Sequence, residues 1–173
     1  GNTDYDATNG TAYPDWDATN GWKFNGSDDY VDSGYIPVAG LTVLVRVSNY
    51  TAVNGAVLGI VNGEIGVAIG IETDRFYTYH PVANTISHYG TESGVFAALY
   101  RSKNYWNGAN LNDNNPATGT FPTFTSPLTI GGVYDESTST LFFFDGYIQA
   151  VAIYNAALTE QNIVDLTTAM NSI

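Results

Sequence analysis

The clearest signal along the chain is short-range alternation of apolar and polar positions. In Leu41-Thr42-Val43-Leu44-Val45-Arg46-Val47, residues Leu41, Val43, Val45 and Val47 share one face of an extended segment. Segments 56–60 and 65–71 flank Asn62-Gly63, which predicts a tight hairpin with positive φ at both turn positions. Further strands are predicted near 75–80, 85–89, 95–100, 103–107, 128–131 and 141–154. In the last of these the apolar parity changes between Ile148, in step with Ala150, and Val151, in step with Ile153. Such a change requires either burial of both faces or a bulge. The period then lengthens: Leu158, Ile163, Leu166 and Met170 form an apolar stripe behind Thr159 as N-cap, with Glu160 and Asp165 early in the helix. Many short strands and one short C-terminal helix predict an all-β fold, a two-sheet antiparallel jelly-roll β-sandwich.

Two stretches break the pattern. Residues 1–21 form a turn-rich N-terminal segment containing an echo, Asp6-Ala7-Thr8-Asn9-Gly10 and Asp17-Ala18-Thr19-Asn20-Gly21, which reads as two turns of similar chemistry. Residues 107–126 hold Gly108, Asn110, Asn112, Asp113, Asn114, Asn115, Pro116, Gly119 and Pro122, a density of breakers that predicts a long exposed loop.

Composition narrows the chemistry. At 173 residues the chain fits one domain, 1–173, able to bury about two thirds of its unfolded surface. There is no Cys, so disulfides, thiolate metal sites and a cysteine nucleophile are excluded. With 17 acidic residues against 5 Lys and Arg, the formal charge of -12 argues against nucleic acid or an anionic membrane as partner. No run reaches the roughly eighteen apolar residues of a membrane-spanning helix. The 18 Gly and 13 Tyr suit a turn-rich β protein of the kind found on secreted and virion surfaces. A chain opening on Gly1 is expected to be processed or trimmed.

Three motifs carry a family resemblance. They are Phe24-Asn25-Gly26-Ser27-Asp28-Asp29-Tyr30-Val31, Tyr105-Trp106-Asn107-Gly108, and a final Gly146-Tyr147-Ile148 to Val151-Ala152-Ile153-Tyr154-Asn155 strand running into Leu158-Thr159 and Ile163. In this order over residues 22–170 the chain resembles laminin-G-like, concanavalin-A-like domains of bacterial and phage proteins. It departs from them in having no Trp in 41–47 and Gly94-Val95-Phe96-Ala97 where many members carry Trp-x-His. The resemblance implies a sandwich that hosts recognition modules, spacers and hydrolases alike.

Candidate chemistry follows the loops. Glu72-Thr73-Asp74 approaches the carboxylate set of related glycan hydrolases, but no third carboxylate stands at 76 or 77, so Glu72 to Arg75 reads as a charged hairpin turn and no enzyme is expected. His80 and His88 are too isolated for a catalytic triad or a metal pair. Calcium is the expected ion for an acidic, thiol-free chain. Its candidate ligands are Asp28, Asp29, Asp32, Asp135 and Glu136, with hydrogen-bonded turn carboxylates as the alternative reading. The segment Asp4 to Gly10 fails the EF-hand pattern, because Gly falls one position late and Asp15 stands where Glu is needed. For ligand binding, Trp106 is expected to face outward beside the core-facing Tyr105, with Asn104, Asn107 and Asn110 around it. Packing beneath the 107–126 loop is the alternative. Tyr13 and Trp16 form a second aromatic candidate.

The function expected is a non-catalytic, extracellular or virion-surface recognition module that binds glycan. The alternative is a structural subunit of a larger assembly that meets a protein partner.

Overall fold

The computed structural model describes residues 13–51, 55–63, 65–72, 75–79, 86–89, 93–99, 103–111 and 120–173. They hold strands Asp15–Asp17 (β1), Gly21–Asn25 (β2), Val31–Asp32 (β3), Thr42–Ser48 (β4), Gly55–Asn62 (β5), Ile65–Glu72 (β6), Arg75–Tyr79 (β7) and Ile86–Tyr89 (β8). These are followed by Gly94–Leu99 (β9), Lys103–Trp106 (β10), Ala109–Asn110 (β11), Thr129–Ile130 (β12), Gly132–Asp135 (β13), Thr140–Phe143 (β14), Asp145–Tyr154 (β15) and helix Glu160–Asn171 (α1). One sheet has seven strands in the order β1-β2-β15-β4-β9-β10-β11. The other has eight, with β14-β13-β5-β6-β7-β8 along its path and β12 and β3 attached through β5. Among the described residues the ladders are antiparallel apart from β13 beside β5, where Val133 lies against Gly59 in parallel. The architecture is the two-sheet jelly-roll sandwich with a C-terminal helix that the alternation predicts.

The main core lies between the sheets. Leu41, Val43, Val45 and Val47 meet Leu58, Val67, Ile69 and Ile71 there, together with Phe24, Phe96, Leu128 and Phe144. The other face of β4 is buried as well, because α1 covers it: Leu44 packs with Val95, Tyr105, Ile163 and Met170. That double burial explains the parity change in β15. The register slips between Ile148 and Ala150, leaving Gln149 as the extra residue of a bulge. Ile148, Val151 and Ile153 then face the main core, while Ala150, Ala152 and Tyr154 face the helix. Both alternatives raised by the parity change therefore hold.

Several elements differ from expectation: β1 lies within the segment read as turn-rich over 1–21, and β11 within the loop read over 107–126. The segment read as one strand over 141–154 divides at Phe144, with β14 in one sheet and β15 in the other. Phe144 makes the crossing: its N–H donates to Gly131 O and its carbonyl accepts from Gly26 N. In the β5–β6 hairpin Asn62 pairs with Ile65, so Asn62 ends the ladder instead of occupying the turn, and Gly63 alone of the pair has positive φ, +66°.

The helix begins as its sequence dictates. Thr159 caps it, and its hydroxyl accepts from Asn162 N while Asn162 Oδ1 accepts from Thr159 N, a reciprocal capping box. At the far end Arg46 Nη1 donates to Met170 O at 2.9 Å and Ile173 O at 2.7 Å, which places a cation at the negative pole of the helix.

Candidate functional site

The residues grouped around Trp106 are structural in their placement. Asn107-Gly108 forms a two-residue turn with φ of +48° and +80°, as a type I′ hairpin requires, and Trp106 pairs with Ala109 across it. Tyr105 is buried beneath α1, as expected. Trp106 does not face outward: it packs on the main core, 6.5 Å from the Phe96 ring. Asn104 lies on that same inward side, two residues away, and is fully buried. Asn107 Oδ1 accepts from Val95 N at 2.9 Å, and Asn110 is half-buried in β11. The parity argument fails here because the helix, not solvent, covers the second face of β10.

The acidic candidates are held by hydrogen bonds within the chain, local at Asp28, Asp29 and Asp32 and from other segments at Asp135 and Glu136. Asn25 Oδ1 accepts from the N–H groups of Ser27, Asp28 and Asp29, while Asp29 returns an acceptor to Asn25 N and Asp28 one to Asn25 Nδ2. Asp32 Oδ1 accepts from Gly34 N. Asp135 Oδ1 accepts from Gly63 N, Ser137 N and the Ser137 hydroxyl. Glu136 Oε1 accepts from Thr125 N, Ser126 N and the Thr125 hydroxyl. Among the described residues no three His, Asp or Glu side chains are gathered as a metal ion needs.

These bonds set the response to acid. At Asp135, burial raises the pKa, but the donors from Gly63, Ser137 and Thr138 outweigh it and hold the carboxyl below its ordinary 3.8. Burial likewise raises Glu136, and the Thr125 and Ser126 donors bring it below 4.5. The unfolded chain therefore binds more protons than the folded one. The stability these groups supply is complete above their unfolded pKa values and is lost as pH falls through the folded ones. Asp29 has the opposite sign: burial raises it first, the Asn25 N–H opposes this, and the charges of Asp28 and Asp15 raise it further. We expect Asp135→Asn to lower stability at pH 7 by about 1–2 kcal/mol. In urea unfolding the gap between the variant and the natural chain should narrow as pH falls below 3.8; a gap independent of pH would refute the assignment.

The exposed aromatic site lies at the β1–β2 edge. Asp17 Oδ1 accepts from Thr19 N, Asn20 N and Asn20 Nδ2, closing a turn that ends at Gly21, whose φ is +87°. This turn sets Trp16 opposite Trp22, and β2 sets Trp22 opposite Ile148. Opposed residues point to one side of a sheet, so both tryptophans lie on the inward side, beyond the cover of the second sheet. Their rings meet edge to face, with centroids 5.0 Å apart. Trp16 is 60% and Trp22 46% exposed, and Tyr13, three residues before Trp16, is 59% exposed. Behind Trp22 a crevice of about 250 Å³ runs between the sheets, lined by Phe24, Val31, Ile130, Ile148 and the Gln149 bulge. Gln149 Oε1 is itself buried and takes no hydrogen bond among the described residues.

Trp16 was a sequence candidate, while Trp22 and Gln149 were not. The signal for Trp22 lay in the Asp17 to Gly21 turn, which sets 16 and 22 in register; Gln149 depends on the bulge and had none. In β6 and β7, Glu72 pairs with Arg75 beside the hairpin connection, where the charge pattern put them. His80 and the first copy of the Asp-Ala-Thr-Asn-Gly echo lie outside the described residues.

No protein-family model matches the chain, and no curated protein sequence matches it. Solved structures do. Trypanosoma rangeli sialidase in complex with 2,3-difluorosialic acid (covalent intermediate) superposes with a TM-score of 0.63 at 17% identity, over 88% of this chain and 28% of that one. The native heptameric SAP-like pentraxin from Limulus polyphemus gives 0.63 at 12% identity, over 84% and 80%. The CBM40 of Ruminococcus gnavus IT-sialidase, bound to α2,3-sialyllactose, gives 0.59 at 14% identity, over 76% and 84%. The chain thus spans 28% of the length of the sialidase it matches. At these identities the likeness is one of fold, a two-sheet β-sandwich.

Proposed function

We propose that the chain is a non-catalytic carbohydrate-recognition domain of the laminin-G-like type, acting outside a cell or on a virion surface. The observation that carries this reading is the Trp16–Trp22 pair at the mouth of a crevice. Two tryptophans kept half-exposed on an inward sheet face supply the flat apolar area on which a pyranose ring stacks. The solved sandwiches of this fold include a carbohydrate-binding module, which fits the proposal.

Glycan-array binding of the domain tests it. Selective binding is expected, reduced about tenfold in Trp16→Ala and Trp22→Ala, since burying a large apolar side chain is worth about 1.5 kcal/mol or more and about 1.4 kcal/mol is tenfold in affinity. Binding that survives both substitutions would refute the site. The same array with calcium and with chelator tests the structural calcium expected from the sequence: chelator sensitivity would assign one, and indifference would remove it.

Silence on the array would favour the second reading, an assembly subunit. One feature supports it: β14 is an edge strand and presents Phe142, 51% exposed, a surface suited to a protein partner.

A further inference from the structure

We propose that a second cavity, separated from the tryptophan crevice by β3, is a binding site for a small organic ammonium ion. The extended backbone at β3 alternates its side chains, so Val31 lines the crevice while Tyr30 and Asp32 line the second cavity. This cavity measures about 290 Å³, the low end of the range for small-molecule sites, which suits a ligand of a few heavy atoms. Tyr134 of β13, Leu141 of β14 and Pro127 complete its apolar wall.

The chemistry of the lining selects the ligand. Tyr30 packs beside the Phe143 ring, at 6.5 Å between centroids. Asp32 Oδ1 is occupied by Gly34 N at 2.7 Å, and Oδ2 accepts no hydrogen bond among the described residues. Two tyrosines and one carboxylate oxygen present two electron-rich rings and a negative charge, the combination that attracts an alkylammonium group. Among the described residues no Lys or Arg lines the cavity. Of the described cations, Arg46 is spent on the end of α1, Lys103 on Glu160 at 3.6 Å, and Lys23 lies over the Tyr147 ring. The net charge of -12 draws a cation toward the surface and repels an anion. A bare divalent metal fits poorly, since it needs several oxygen ligands and the described residues supply one carboxylate to the cavity. The Thr129 hydroxyl, also in the lining, is turned away onto Gly59 O and Gly132 O.

The test is an NMR titration of the whole chain with tetramethylammonium chloride, against sodium chloride at equal ionic strength and a neutral methyl hexoside. Saturable shifts are expected at Tyr30, Asp32 and Tyr134, weakening as salt rises. Asp32→Asn, which keeps the acceptor for Gly34 N, should weaken binding about tenfold, and Tyr134→Leu should do the same. Tyr134→Phe keeps the ring and should bind as the natural chain does. Trp16→Ala should leave the titration unchanged, which separates this site from the crevice. Absence of saturation, equal shifts with the hexoside, or indifference to Asp32→Asn in a folded variant would each overturn the proposal.

Discussion

Gly131→Ala is expected to destabilise the sandwich by about 3 kcal/mol or more, the sum of left-handed backbone strain and overpacking. Gly131 has φ of +79° and joins β12 to β13. Its N–H donates to Val57 O at 2.8 Å and its carbonyl accepts from Phe144 N at 3.0 Å, so the backbone is fixed from both sides. A Cβ built there would overlap Cδ1 and Cε1 of Phe24. That ring is buried between the sheets against Phe144 at 6.4 Å, so moving it off the new Cβ costs packing. Gly40→Ala is the control: its φ of +87° is as unusual, but nothing lies within 4 Å of the new Cβ. It should cost only the backbone part, about 1–2 kcal/mol. Urea unfolding followed by circular dichroism measures both. Equal midpoints for the two variants would show that the Phe24 contact is not the cause.

Phe144→Ala is expected to cost about 3–5 kcal/mol, the range for deleting a buried phenylalanine ring. Phe144 is 1% exposed, and its ring lies between those of Phe24 and Tyr50, at 6.4 and 6.5 Å. It also stands where the chain leaves one sheet for the other, so the cavity would open at the crossing itself. The two substitutions share a partner in Phe24. With the Phe144 ring removed, Phe24 gains room to move off the new Cβ at 131, and the double variant should be less destabilised than the sum. Strict additivity in the same unfolding measurement would refute this coupling.

The candidate site was legible only in part. Trp16 could be named as an exposed aromatic because it sits in a polar, turn-rich stretch. Its partner Trp22 read as the start of a strand, and Gln149 as an ordinary position in one; pairing and a bulge turned both toward the crevice. Trp106 carried the same local signals as Trp16 and lies on the core. The acidic residues show how far composition reaches: it marks Asp29, Asp135 and Glu136 as oxygen-rich turns, but whether the oxygens are free or already bonded depends on neighbours such as Gly63 and Thr125, far along the chain or on another element.

By itself the sequence determined the local elements. Alternation placed most of the strands, and Thr159 with the stripe Ile163, Leu166 and Met170 the capped helix, because each rests on contacts within a few residues. Only the tertiary structure decided what covers each face. A period of two declares that Leu44 and Val45, or Tyr105 and Trp106, point apart, but not which side meets a sheet, a helix or water. Here α1 closes over Leu44 and Tyr105, the second sheet closes over Val45 and Trp106, and the same inward face runs out of cover at Trp16 and Trp22. Layer order and the limits of a sheet are set by long-range pairing, and so the exposed site appears only once the sheets are assembled.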